Sequence, residues 1–233
     1  MTLKELVRLF RVQSNDKVEP YFNEDEDVIA WFNQAVDEAC IRGRLVHESH
    51  NADVCAIPVY LDQAQYPLHE SLYEITRLTY VPGNNEKQCE LRLVSEEWLN
   101  LYYYEGWPDM KGKPQFAIQS DTSLRMVPKP DTDGELFVEG YRTPLQDMAE
   151  DGDKPVDLHK QHHVHLVEWA LHKAFSIPDT EFFDPNRSAQ ALQNFTDYFG
   201  ERPDSDLRRQ TREDYEHRVK PDFIQLRFLG YRL

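Results

Sequence analysis

Apolar residues recur at helical spacing near both ends of this chain and alternate through its middle. Leu3, Leu6, Val7 and Phe10 form one stripe of period 3.6, which predicts a first helix. Thr2 and Glu5 have the spacing of a capping box at its start, and Ser14-Asn15-Asp16 closes it. A second helix is predicted from Asn23. Glu24, Asp25, Glu26 and Asp27 occupy its first turn, where the helix dipole favours acids. Val28, Trp31, Phe32, Ala35, Val36 and Ala39 make its apolar face, and Arg42-Gly43-Arg44 ends it.

From residue 53 the period changes. Val54 to Leu61 is a β-type run in which Pro58 argues for an edge strand. Gln65 to Leu68 is a short strand. Tyr73 to Val81 alternates, with Ile75, Thr79 and Val81 expected on one face, and Pro82-Gly83-Asn84-Asn85 is a turn. Cys89 to Val94 alternates again. Ser95 then caps a short helix bearing Trp98, Leu101 and Tyr102. Phe116–Ile118, Leu124–Pro128 and Glu135–Tyr141 are three further strands. The link at 130–134 reads as a hairpin connection. Spacing of this kind suggests a small antiparallel sheet or sandwich. Residues 144–157 are polar and acidic, a surface loop.

Helical periodicity returns near residue 157 through Leu158, His162, His165, Leu166, Trp169, His172 and Phe175, and Pro178 stops it. A last helix, capped by Asp184 or Asn186, carries Ala189, Leu192, Phe195, Tyr198 and Phe199 and ends at Gly200. The expected fold is α+β. Residues 1–51 and 155–203 form an antiparallel helical bundle, 52–154 an inserted β-rich subdomain with a short helix, and 204–233 an extended C-terminal arm.

Composition narrows the function. The net charge is −16, and no basic face stands out, which argues against tight phosphate binding. A passage lined by negative charge would let DNA slide without adhering, although plain solubility uses the same charge. The three cysteines, Cys40, Cys55 and Cys89, lack C-x-x-C spacing and read as small buried hydrophobes. No apolar run approaches the ~18 residues of a membrane span, and no secretory signal is expected.

The candidate chemistry is sparse. His162, His165, Glu168 and His172 share a helical face and offer a ligand set for zinc or iron. The H-E-x-x-H signature and a second ligand-rich helix are both missing, so packed polar aromatics are the plainer reading. Neither G-x-S-x-G nor a glycine-rich phosphate loop is present. The aromatic run from Leu99 to Trp107 reads as core and interface, without the flanking cations a base-stacking platform needs. The tail stands out. Phe223, Ile224, Leu226, Phe228, Leu229, Tyr231 and Leu233, dotted by Arg227 and Arg232, follow a charged spacer over 204–220. So many large apolar groups at an end either pack back on their own domain or seek a groove or sheet edge on another chain, and the charged spacer favours the second.

The layout resembles the head-to-tail adaptor (head completion, or connector) proteins of tailed bacteriophages. The likeness runs through Trp31-Phe32-Asn33-Gln34-Ala35, the Tyr73-Glu-Ile-Thr-Arg-Leu78 strand, and Ser95-Glu-Glu-Trp98 leading into the Tyr/Gly/Trp-Pro loop at 102–108. It continues at Leu124-Arg-Met-Val-Pro-Lys-Pro130, Glu139-Gly-Tyr-Arg-Thr-Pro-Leu145 and His165-Leu-Val-Glu-Trp-Ala-Leu171. Asp179-Thr-Glu181, Asp184-Pro185 and Phe195 to Gly200 complete it. The resemblance implies a homo-oligomeric ring of about twelve subunits between the portal protein and the tail tube or nozzle protein. Double-stranded DNA would pass non-specifically through its lumen. The same likeness implies a virion neck protein made in the host cytoplasm, with no catalytic residues, cofactor or membrane partner. The nine tail residues named above would dock the portal. The alternatives are a metal-dependent enzyme using His162, His165, Glu168 and His172, and another neck or tail-terminator protein.

Overall fold

Helix α1, Leu3–Ser14, begins where the Thr2 hydroxyl accepts the Glu5 N–H and the Glu5 carboxylate accepts the Thr2 N–H. It ends at Asn15, which adopts a left-handed conformation. Helix α2, Asp25–Gly43, starts two residues later than the Asn23 expected. Its last helical residue is Gly43, and Arg44 takes the left-handed cap. The computed structural model describes residues 1–203 except 85, 104, 105, 156 and 179.

Between the helices lie β1 (His47–Glu48), a short α3 (Ala52–Cys55), β2 (Ala56–Val59), β3 (Gln65–Pro67), β4 (Leu72–Pro82), β5 (Cys89–Glu90) and β6 (Arg92–Leu93). Next come α4 (Glu96–Tyr102), β7 (Phe116–Gln119), β8 (Ser123–Val127) and β9 (Gly134–Arg142), and then α5 (Leu166–Ser176) and α6 (Pro185–Phe199). Helix and small open sheets together make a mixed α+β fold, as the periodicities suggest.

The described chain divides into two compact units. The first comprises Met1–Cys55, His69–Thr76 and Val138–Pro203. Its core joins Leu6 and Phe10 of α1, Phe32 and Ala39 of α2, Leu166 and Ala170 of α5, and Phe195 and Phe199 of α6. Helix α5 packs against α6, α2 and α1 and is the central member. Strand β1 pairs antiparallel with the end of β9, His47 opposite Tyr141. Gly140 lets β9 lie close to β4, because a Cβ there would sit 2.3 Å from the Glu74 carbonyl oxygen.

The second unit comprises Ala56–Leu68 and Arg77–Phe137. Strands β3, β8, β7 and β6 form one sheet in that order, with β6 parallel to β7 and the other pairs antiparallel. Among the described residues strand β2, with Pro58, pairs only with the start of β9, as an edge strand should. Val94, Leu99, Trp107 and Val127 form a small core under α4.

Several expectations are corrected. The 130–134 link is no hairpin, because β8 and β9 belong to different sheets. The inward face of β4 shifts by one residue along its length. Ile75, Leu78 and Tyr80 are buried, while Thr79 and Val81 are only half-buried. The acidic 144–157 loop is not wholly on the surface: Met148 is buried, held by reciprocal hydrogen bonds with the Asn33 side-chain amide. Val54 and Cys55, expected to open a β run, instead end α3. Helix α5 begins at Leu166 after a 3-10 turn over His163–His165, not at 157.

Candidate functional site

The chain leaves its folded body through a tightly held root. Asp184 caps α6 by accepting the Asn186 and Arg187 N–H groups, with Pro185 in the first turn. At the other end Gly200, at φ 91°, closes the helix with its N–H on the Thr196 carbonyl. Arg42 of α2 reaches across to this end. Its Nε donates to Glu38 Oε2 at 3.0 Å, and its Nη1 donates to Thr196 Oγ1 at 3.0 Å and to the Gly200 carbonyl at 3.5 Å. The guanidinium lies over the rings of Trp169 and Phe195 at 5.3 and 5.2 Å. Arg202 then pairs with the second Glu38 oxygen at 2.9 Å. One buried carboxylate thus ties α2 both to Arg42 and to the departing chain.

The histidines proposed as ligands are otherwise engaged. His172 Nδ1 donates to the Ser188 carbonyl at 3.1 Å. Glu168 accepts from Asn194 at 3.1 Å. His162 Nδ1 lies 3.2 Å from the Tyr198 hydroxyl, and the His165 ring stacks on Tyr198 with centroids 3.5 Å apart. Among the described residues no three His, Cys, Asp or Glu side chains are grouped to hold a metal ion. The face that the helical wheel assigned to His162, His165, Glu168 and His172 fails because α5 begins only at Leu166. Burial, then the neighbouring His159 and His165, lowers the pKa of His162.

A second charged centre braces the body at β1 and β9. Arg142 is buried, with its Nε on Glu48 at 3.0 Å and its Nη1 on Asp157 at 2.7 Å. Burial alone would raise the Glu48 pKa. The His50 N–H, Arg142, and the Asn51 and Ser49 N–H groups outweigh it and hold the carboxyl down to about 2. Asp37 on α2 goes the other way: burial first, then Asp147 and Glu38, push it up to about 6. The cysteines are free and unreactive in character. Burial, with the Asp37 and Asp157 charges, pushes the Cys40 thiol up to about 12.

In the second unit α4 stands proud. Ser95 accepts the Trp98 N–H, Leu99 points into the small core, and Leu101 and Tyr102 remain mostly exposed. Trp98 packs on Tyr102 and on Phe116. No described helix is long and apolar enough to cross a membrane.

The nine arm residues, Phe223, Ile224, Leu226, Arg227, Phe228, Leu229, Tyr231, Arg232 and Leu233, lie outside the described residues. Sequence reasoning missed Arg42, Glu38 and Arg202, which hold the root. The i,i+4 spacing of Glu38 and Arg42 on a helix was the available signal. A protein-family model described as SU10 adaptor protein matches residues 1–220. A comparison with curated proteins gave no match.

Proposed function

Because the chain belongs to the SU10 adaptor protein family, a family with a structural adaptor role in the phage particle, we propose that it forms a closed ring between portal and tail. The ring holds about twelve copies in a head-to-tail arrangement that closes on itself. DNA passes through its lumen without specific contacts. The C-terminal arm, through Phe223, Ile224, Leu226, Phe228, Leu229, Tyr231 and Leu233 with Arg227 and Arg232, docks the portal. The tail tube or nozzle protein binds the opposite side.

The family match carries this reading, and the physical chemistry supports it. At −16 per chain, a ring of about twelve copies bears roughly −190 formal charge, which suits a duct for another polyanion. Exposed Leu101, Tyr102, Tyr198 and Phe183 offer the large apolar and aromatic groups that protein interfaces use. The root at Arg42 and Glu38 would give the arm a fixed point of departure. Deletion of residues 221–233 tests the docking role. The truncated protein is expected to keep its fold and lose portal binding in a co-sedimentation assay. Retention of full binding would refute the arm's role, and negative-stain images of the intact protein without closed rings would refute the ring.

A further inference from the structure

The first unit holds a cavity of about 670 Å3 between α1, the 15–24 loop and the start of α2, and every residue around it belongs to that unit. The volume is that of a typical ligand site. Leu3, Val7, Tyr21 and Ile29 give it apolar walls. Two of its four cations are answered: Lys4 by Asp151, and Arg11 by Asp16 and Asp25. Arg8 and Lys17 are exposed and have no ion pair among the described residues. Arg11 is only 6% exposed, and its Nε–H finds no acceptor among the described residues. The wall thus offers more positive charge and more donors than its own acids use.

Three features choose the occupant. The unanswered charge is positive on a chain of net charge −16, so the complement is acidic. The floor is apolar, so the complement also brings an aromatic or branched aliphatic group. The apolar surface continues along the loop: Val18 and Phe22, next in sequence to Lys17 and Tyr21, are 79% and 63% exposed. Phe22 is held there by Phe182, with ring centroids 5.7 Å apart. A small organic anion would fill the cavity and leave Val18 and Phe22 in water, whereas a polypeptide segment covers both. A nucleic-acid backbone calls for a row of cations, which Arg8 and Lys17 alone do not supply.

We propose that this cavity is the docking seat for an acidic segment of a different protein. One aromatic or branched aliphatic side chain of that segment anchors on Leu3, Val7 and Ile29, and carboxylates on either side of it meet Arg8 and Lys17. The seat lies on the helical body and needs neither the C-terminal arm nor a closed ring, so its failure and the failure of portal docking are read separately.

Fluorescence anisotropy of a fluorescein-labelled Glu-Glu-Phe-Glu-Glu peptide, titrated with the full-length protein, tests this. Saturable binding is expected, about tenfold weaker when glycine replaces the phenylalanine and about tenfold weaker to Arg8→Glu/Lys17→Glu. Both substituted side chains are exposed, and a charge swap guards against a folding defect: a Lys-Lys-Phe-Lys-Lys peptide should bind the double variant about tenfold more tightly than it binds the wild type. No saturable binding of the acidic peptide, or equal binding by wild type and variant, overturns the proposal. Displacement by a short DNA duplex as readily as by unlabelled peptide overturns it in favour of nucleic acid. A sedimentation coefficient that differs between the unliganded wild type and the double variant overturns it in favour of a second copy of this chain.

Discussion

Replacing Arg142 by methionine keeps most of the side-chain volume, removes the guanidinium and leaves Glu48 and Asp157 without that cation, Glu48 keeping the N–H groups of Ser49, His50 and Asn51. The Arg142 side chain is 7% exposed, and those of Glu48 and Asp157 are 14% and 26% exposed. A buried pair that loses one partner costs about 3–5 kcal/mol, whereas an exposed pair is worth about 0.2–1 kcal/mol. The burial places Arg142 near the lower end of the first range, so about 3 kcal/mol is expected at pH 7. For a chain of this size that is roughly 6–12 °C in Tm. Arg142→Lys keeps a charge but not the fork that reaches Glu48 and Asp157 together, and should fall between the two.

The pH dependence sharpens the test. The folded-state pKa of Glu48 is about 2 against an ordinary 4.5. An acid whose folded pKa is lowered adds stability that is full above its unfolded value and is lost as pH falls through its folded one. Arg142 supplies part of that lowering. The difference between wild type and Arg142→Met should therefore be largest at pH 7 and shrink from about pH 4.5 towards pH 2. Urea denaturation followed by circular dichroism at pH 7, 4.5 and 3 measures it. A loss below about 1 kcal/mol at pH 7, or a difference constant across these pH values, would refute the reasoning.

Asp37 gives the opposite sign. Its pKa is raised to about 6, so ionisation costs stability as pH rises from about 4 to 6. Asp37→Asn should raise stability at pH 7.5 by on the order of 1 kcal/mol after allowance for solvent screening, and leave it nearly unchanged at pH 4; thermal melts at the two pH values check this. Gly140→Ala would place a methyl 2.3 Å from the Glu74 carbonyl oxygen. Two backbones must part to admit it, and a loss of about 2 kcal/mol or more is expected by urea denaturation.

Local chemistry was the most legible part of the sequence. The Thr2–Glu5 box, the Ser95 cap and the Asp184 cap stand where side-chain type and spacing place them, because each bond closes within three residues. Strands β7, β8 and β9 likewise follow their alternation. What a strand pairs with is decided at long range, so the assignment of β8 and β9 to separate sheets left no local mark. The β4 face misled because its inward positions, Ile75 and then Leu78 and Tyr80, are spaced three and then two apart. The histidine stripe misled for a related reason. A helical wheel drawn from residue 157 assumes regular helix through His162 and His165. The backbone instead makes turns there, and each ring finds its own partner.

The root of the arm shows how buried polar residues can hold the end of a helix. Arg42 and Glu38 lie one helical turn apart on α2, and as an exposed pair they would contribute little. Buried side by side, with side chains 9% and 12% exposed, they are costly unless every donor and acceptor is used. Thr196 and the Gly200 carbonyl take the second arm of Arg42, Trp169 and Phe195 take its face, and Arg202 takes the second oxygen of Glu38. All of these converge on the last turn of α6, where the chain leaves the body. If the arm docks the portal, the first pair among the described residues that a pull on it reaches is Arg202–Glu38. That pair is half-exposed on the arginine side, 55%, and so is worth at most about 1 kcal/mol. The next bonds inward belong to the buried Arg42 cluster, whose loss would leave Glu38 without a partner in the core. Resistance thus rises steeply from the arm to α2, so an arm under load would detach from its partner or peel back to Pro203 before α6 unwinds.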